Sequence, residues 1–241
     1  MSRLRGAALA AVTLFVVLYT AGAGRLWEAD LGWDVAFLVL VPIPLTMLAI
    51  WLALPLAFGR GLFLGGLGLA LAAVAFRLAE LDALFNVAKL GALALLGFWF
   101  LTYFETVSWT VLVAALIPWV DIWSVFFGPT GKITDDHFSV FEEVSIAFRV
   151  PGQDGSAHLG PPDILFFALF LAAAARFGLR VAGTWLAMTA LLGATLVLTA
   201  TTDVGGLPAL PAICLGFLAA NADVLWRQLR RAPTDAEAEA K

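Results

Sequence analysis

Long uncharged runs, separated by short polar clusters, make up most of this chain. Eight such runs predict helices at about 7–24, 35–58, 61–78, 83–104, 107–127, 161–177, 181–201 and 206–226. An apolar run of about 18 residues or more is long enough to cross a hydrocarbon core of roughly 30 Å. A span must also satisfy its own backbone hydrogen bonds, which favours helices. The pattern therefore predicts an all-α, polytopic transmembrane bundle of about eight spans. The first run also fits a secretory signal peptide, because Arg3 and Arg5 precede it and Ala21-Gly22-Ala23 closes it. Its length favours a retained span.

One connection, 128–160, is long where the others are short. It opens with the turn signal Gly128-Pro129-Thr130-Gly131. A helix start follows at Thr134-Asp135-Asp136, with acids in the first turn. Val144, Ile146, Phe148 and Val150 then alternate with other residues, so 144–150 reads as a lone short strand or as a loop segment lying on the bundle. The tail 233–241 is short and polar and is expected to be disordered.

Composition sharpens this picture. Of 241 residues, 62% are hydrophobic and 13% charged, against roughly 45–50% and about 25% in water-soluble domains. No room remains for a sizeable soluble domain. Net charge is −4, and the basic cluster Arg227, Arg230 and Arg231 closes the last span, so no nucleic-acid partner is expected and the bilayer is the natural one. With the N-terminus inside, Arg3, Arg5, Arg60, Arg176, Arg180, Arg227, Arg230 and Arg231 fall on the inner side. Arg25, Arg77, Lys132 and Arg149 fall outside, which predicts both termini in the cytoplasm. The excess of arginine over lysine suggests a GC-rich prokaryotic genome. Trp27, Trp33, Trp109 and Trp226 lie near span ends, where amphipathic rings settle. Cys214 is expected to pack. His137 and His158 lack partners at ligand spacing, so no metal or cofactor is expected.

Ionisable groups inside spans are candidates for function because burying them costs roughly 3 kcal/mol on insertion scales. Lys89, near a span end, is expected to snorkel, and Asp223 to pair with Arg227 at i+4. Asp121 and Asp163 stand apart. Asp121 lies seven residues before Gly128, roughly 10 Å inside the loop-side boundary at helical rise. Asp163 opens the next span just beyond the same loop. Consecutive antiparallel helices bring both toward one membrane face. Two carboxylic acids in a low-dielectric bundle share one proton, because a second negative charge there is strongly disfavoured. Such a pair can polarise a water for hydrolysis without metal or nucleophilic side chain. The plain alternative is two independent acids, each bonded to a hydroxyl or backbone group. At the same face the last span begins Gly206-Leu207-Pro208-Ala209-Leu210-Pro211, where prolines free backbone groups to line a cavity.

Together these residues resemble the presenilin and signal peptide peptidase family of intramembrane aspartyl proteases. Asp121-Ile122-Trp123-Ser124-Val125-Phe126-Phe127-Gly128 is similar to the first catalytic motif, as found in the signal-peptide-peptidase branch. Gly160-Pro161-Pro162-Asp163 is similar to the second, and Pro208-Ala209-Leu210 to the third. The resemblance covers about 107–226; Val120 replaces a tyrosine and Pro162 a glycine of the usual pattern. It implies a scaffold of four spans in 1–106 and a catalytic part in 107–232. Asp121 and Asp163 would be the catalytic pair. Gly160, Pro208, Ala209 and Leu210 would shape the site, and the strand carrying Val144, Ile146, Phe148 and Val150 would pair with an unwound substrate helix. The implied activity is endoproteolysis of transmembrane helices or remnant signal peptides. A proton-coupled transporter using the two acids as a relay, and a catalytically silent helix-binding homologue, are the competing readings.

Overall fold

A computed structural model describes residues 2–126, 138–202 and 207–239. The turn expected at 128–131, the helix start at 134–136, His137 and Gly206 lie outside the described residues. The helices are α1 (Arg3–Gly22), α2 (Leu31–Leu40), α3 (Pro42–Ala53), α4 (Leu62–Leu78), α5 (Asp82–Phe100), α6 (Val107–Phe126) and the short α7 (Phe138–Val144). After strands β1 (Ile146–Arg149) and β2 (Ser156–Leu159) come α8 (Pro161–Arg176), α9 (Val181–Thr201) and α10 (Leu210–Glu239). Apart from one hairpin, the described chain is an all-α bundle.

Six helical segments are long and apolar enough to cross a bilayer: Arg3–Arg25, Leu31–Phe58, Asp82–Tyr103, Val107–Val125, Val181–Thr201 and Leu210–Arg230. This is the signature of an integral membrane protein. The other two expected spans form helices of 17 residues (α4) and 16 residues (α8). At helical rise these reach only about 24–26 Å.

The second expected span, 35–58, is not one helix. It breaks at Val41, whose φ of −124° and ψ of −74° are not helical, and restarts with Pro42 at its first position. Proline has no N–H for the preceding turn and crowds the residue before it, so the helix must stop and begin again there. At the other end of the chain, the helical backbone of α10 continues through 233–239, where a disordered tail is expected. The alanines and glutamates of Asp235-Ala236-Glu237-Ala238-Glu239 are strong helix formers, so local propensity favours the continuation.

The core is organised around α8. Ile164 and residues 167–174 are buried, most of them completely, because α8 is surrounded by α3, α5, α6, α9 and α10. Phe170 stacks on Phe217 of α10 at 4.8 Å. On the α5 side, a Cβ at Gly97 would stand 2.3 Å from the carbonyl oxygen of Leu165. Glycine there lets the two backbones meet, and it fixes how deep α8 sits.

The strand expected at 144–150 is corrected in extent and company. Val144 ends α7 and is exposed; only Ile146–Arg149 is extended, with Val150 following it. The strand is not alone, because it pairs antiparallel with β2 in the register Ile146↔Leu159 through Arg149↔Ser156. The period-two signal in 156–159 is too short to stand out in the sequence, and the hairpin turn around Gly152 and Gly155 forms it. Ile146 and Phe148 are buried and face the packed region between α1, α3 and α5.

Candidate active site

Asp163 occupies the first turn of α8, which starts at Pro161 as expected of proline at a helix N-terminus. Its Oδ2 accepts the backbone N–H of Gly160 at 3.0 Å, so the carboxyl group turns back over its own helix start. A Cβ on residue 160 would lie 3.1 Å from that oxygen. Gly160 thus leaves space for the bend. Pro162 is compatible with this geometry because a residue this early in a helix has no N–H bond to lose. The side chain of Asp163 is only 7% exposed.

Asp121 comes from α6, one turn beyond Pro118, which lies inside that helix. It is partly buried. Its Oδ2 accepts the backbone N–H of Leu210 at 3.2 Å. Leu210 is the first residue of α10, so its amide has no partner within the helix. The helix end meets the acid with both a free donor and the positive end of the backbone dipole. Of the three residues Pro208, Ala209 and Leu210, it is Leu210 that meets Asp121, and the contact is made by backbone.

The two acids are brought together: Asp121 and Asp163 lie within electrostatic range of each other, and Cys214 lies in the field of both. Cys214 is completely buried, one turn after Leu210 on α10. It packs as expected, yet it also forms part of the wall beside the pair. Trp119, Val120 and Trp123 are all exposed. The position where the resemblance calls for tyrosine therefore looks outward from the bundle.

The hairpin joins Asp163 directly, because Gly160 follows β2. The bond from Val150 N to Gly155 O is 3.0 Å, and this phase turns the backbone groups of Ile146 and Phe148 toward β2. Those of Ala147 and Arg149 turn to the opposite edge. Asn86 of α5 holds Ala147 there on both sides: Nδ2 donates to its carbonyl at 2.9 Å and Oδ1 accepts its N–H at 2.9 Å. Tyr19 donates to the Arg149 carbonyl at 2.5 Å. The Lys89 ammonium donates to the carbonyls of Glu143 (3.0 Å) and Ser145 (2.6 Å) and lies over the Phe85 ring.

A cavity of about 500 Å³ opens between α4 and α5. Its walls are apolar, with Ala70, Ala73, Val74, Leu93 and Leu96, and one end is ringed by Arg77, Lys89, Glu143, Val144 and Pro161. Arg77 grips Glu143 through two nitrogens, at 2.6 to 3.0 Å. That hydrogen-bonded pairing holds the Glu143 carboxyl below its usual range. His158, on β2, is pushed down by burial; its Nδ1 is 2.8 Å from the Ser145 hydroxyl, and Nε2 is 3.7 Å from Glu142.

No family model matches the chain, and neither does any curated protein or solved structure.

Elsewhere Asp223 pairs with Arg227 at 3.1 Å, as expected, and also with Arg180 at 2.7 and 2.8 Å. Among the buried polar groups that escaped sequence reasoning, two bear on the hairpin. Asp34 is 4% exposed; Oδ2 accepts from Gln153 at 2.8 Å, while Oδ1 makes no hydrogen bond among the described residues. Asn86 is 6% exposed. Asp34 counts as a loop acid in the charge pattern because it stands just ahead of the expected span. Asn86 is uncharged, so a search for ionisable residues passes over it. A polar amide within an apolar run was the available signal.

Proposed function

We propose that this chain is an intramembrane aspartyl endopeptidase, an eight-span bundle of presenilin-like type that cleaves transmembrane helices or remnant signal peptides. The observation that carries this reading is that Asp121 and Asp163 lie within electrostatic range of each other, with the start of α10 bonded to Asp121. The two acids come from separate helices, and each receives one backbone N–H.

In this reading the pair shares a proton and holds a water between its carboxyl groups. The ionised member accepts a proton from the water as it attacks the scissile carbonyl. The protonated member donates a hydrogen bond to that carbonyl and stabilises the developing oxyanion. The proton is then passed to the departing amine, and the pair returns to its starting charge. Substrate amides in a helix are hydrogen-bonded and shielded, so the segment must be unwound first.

An extended segment is held by adding to a sheet edge. The β1 edge, which the sequence favours for this, is already occupied by Asn86 and Tyr19. The addition is therefore assigned to the β2 side of the hairpin, beginning at Ser156, next to Gly160 and Asp163. The apolar cavity between α4 and α5 ends at Pro161, two residues before Asp163, and suits an approaching apolar helix. In this reading, which the arginine pattern supports, both termini lie in the cytoplasm and the acidic pair lies toward the outer face of a prokaryotic cell membrane.

The test is reconstitution in proteoliposomes with a single-span, signal-peptide-like helix. Cleavage that is lost in Asp121→Ala and in Asp163→Ala, and is blocked by a transition-state-mimicking aspartyl inhibitor, supports the reading. Proton-coupled transport without any cleavage would replace it with the relay.

A further inference from the structure

The hairpin is held from the side that carries no resemblance to a protease. Three side chains of the N-terminal spans meet its outer edge in consecutive positions two residues apart. Lys89 takes the carbonyl of Ser145, Asn86 the N–H and carbonyl of Ala147, and Tyr19 the carbonyl of Arg149. Residues 145, 147 and 149 present backbone groups that a neighbouring strand would otherwise bond. Asn86 and Lys89 are three apart on α5 and so lie on one helix face. The carboxamide of Asn86 offers a donor and an acceptor side by side, as a peptide group does. The turn is fixed from the same quarter: Gly152 N–H donates to Ala23 O at 2.9 Å, and Gln153 to Asp34. Gly152 has φ +69°, and a Cβ there would stand 2.6 Å from the Glu28 nitrogen, so this docking tolerates no side chain.

A loose hairpin could slide or twist relative to α8. Asn86, the central one of the three, is buried and Tyr19 and Lys89 are partly buried, and leaving a backbone group unpaired there is costly. We propose that Tyr19, Asn86 and Lys89 act as a side-chain third strand. They close the β1 edge and hold the hairpin in one position beside Asp163. They are positioning residues and touch neither the acids nor the reacting bond. The inference deepens the protease reading and rests on it for its consequence: with β1 closed, an extended substrate cannot add at that edge and must be held on the Asp163 side of the hairpin. The first 106 residues then determine where a substrate is cut, although the acids lie beyond them.

The experiment uses the full-length protein in proteoliposomes and has two readouts. Amide hydrogen exchange of the uncleaved protein follows peptides covering 145–150. With Asn86→Leu, exchange there is expected to rise about tenfold or more, because both Ala147 bonds are lost, with the α8 and α10 peptides unchanged. Tyr19→Phe, which removes one hydroxyl, is expected to give a smaller rise confined to the Arg149 end and serves if Asn86→Leu fails to fold. The second readout is product mapping with the single-span helix. Both variants should raise KM more than they lower kcat, and should spread cleavage to neighbouring peptide bonds. Unchanged exchange in 145–150 would overturn the clamp. So would faster exchange accompanied by an unchanged cleavage site and KM, since that would make the contacts merely structural. Should the wild-type protein cut no helix, the protease reading falls, and the exchange result alone decides whether the clamp exists.

Discussion

The two candidate acids sit on helices of opposite character. α8, which carries Asp163, is enclosed on all sides, with residues 167–174 out of contact with the surroundings. α6, which carries Asp121, lies at the periphery. Of its described residues only Thr110 and Ala114 are buried, it packs mainly on α10 and touches α8 lightly, and it contains Pro118. One acid is therefore fixed by the core, while the other, among the described residues, is held by one backbone amide, from Leu210. The lesson is that the pair is assembled at a packing boundary. Its geometry depends on how deep α8 sits and on whether the start of α10 holds α6 in place.

Four measurements would break or sharpen that contrast. The largest effect should come from the acids themselves: Asp121→Asn and Asp163→Asn should each lower cleavage by about 10³-fold or more if both act in proton transfer. Retention of activity by either variant would end the comparison, because one acid would then be a bystander. Next comes the depth of α8. Gly97→Val places side-chain atoms where the Leu165 carbonyl lies and should cost about 1–3 kcal/mol of stability by overpacking. It should also displace Asp163, so that cleavage falls even below the unfolding temperature. The matching change at exposed Ala115 on α6, Ala115→Val, should leave both thermal unfolding and cleavage near wild type.

A smaller effect is expected from the tether. Leu210→Pro removes the N–H that Asp121 accepts, at a first-turn position that proline tolerates, whereas Leu210→Ala keeps it. The proline variant should be about tenfold lower in kcat/KM than the alanine variant, the scale of one hydrogen bond to a charged group. Equal rates would mean that α6 needs no tether.

The smallest effect concerns pH. Burial lowers the pKa of His158 from 6.5 in the folded state, so the unfolded hairpin binds more protons. Its contribution to stability is intact above the ordinary histidine pKa and declines as pH falls from there toward the folded value. Glu142 opposes this shift and Lys89 adds to it. Exchange of the β2 peptide, corrected for intrinsic rate, should therefore be a few-fold faster at pH 5 than at pH 7.5. His158→Gln should abolish the difference.

Much of the architecture was legible before any coordinates, because a bilayer demands long apolar helices and punishes stray charge. That logic located the helices, the two acids, the proline-led start of α8 and the Asp223–Arg227 pair. It failed where a neutral or short feature mattered. Asn86 carries no charge, β2 spans only four residues, and the break at Val41 sits within a run whose hydropathy never falters. The acceptors of Lys89 were invisible too, because they arrive from the end of α7, 54 and 56 residues away.

By itself, then, the sequence determined the medium, the helical class and the positions of the acids along the chain, since these follow from local hydropathy and helix-start chemistry. The tertiary structure alone decided which helix is enclosed, that Leu210 rather than a side chain faces Asp121, and that the β1 edge is closed. Those outcomes depend on contacts between segments far apart in the chain, and no local pattern of residues encodes which backbone group a distant side chain will meet.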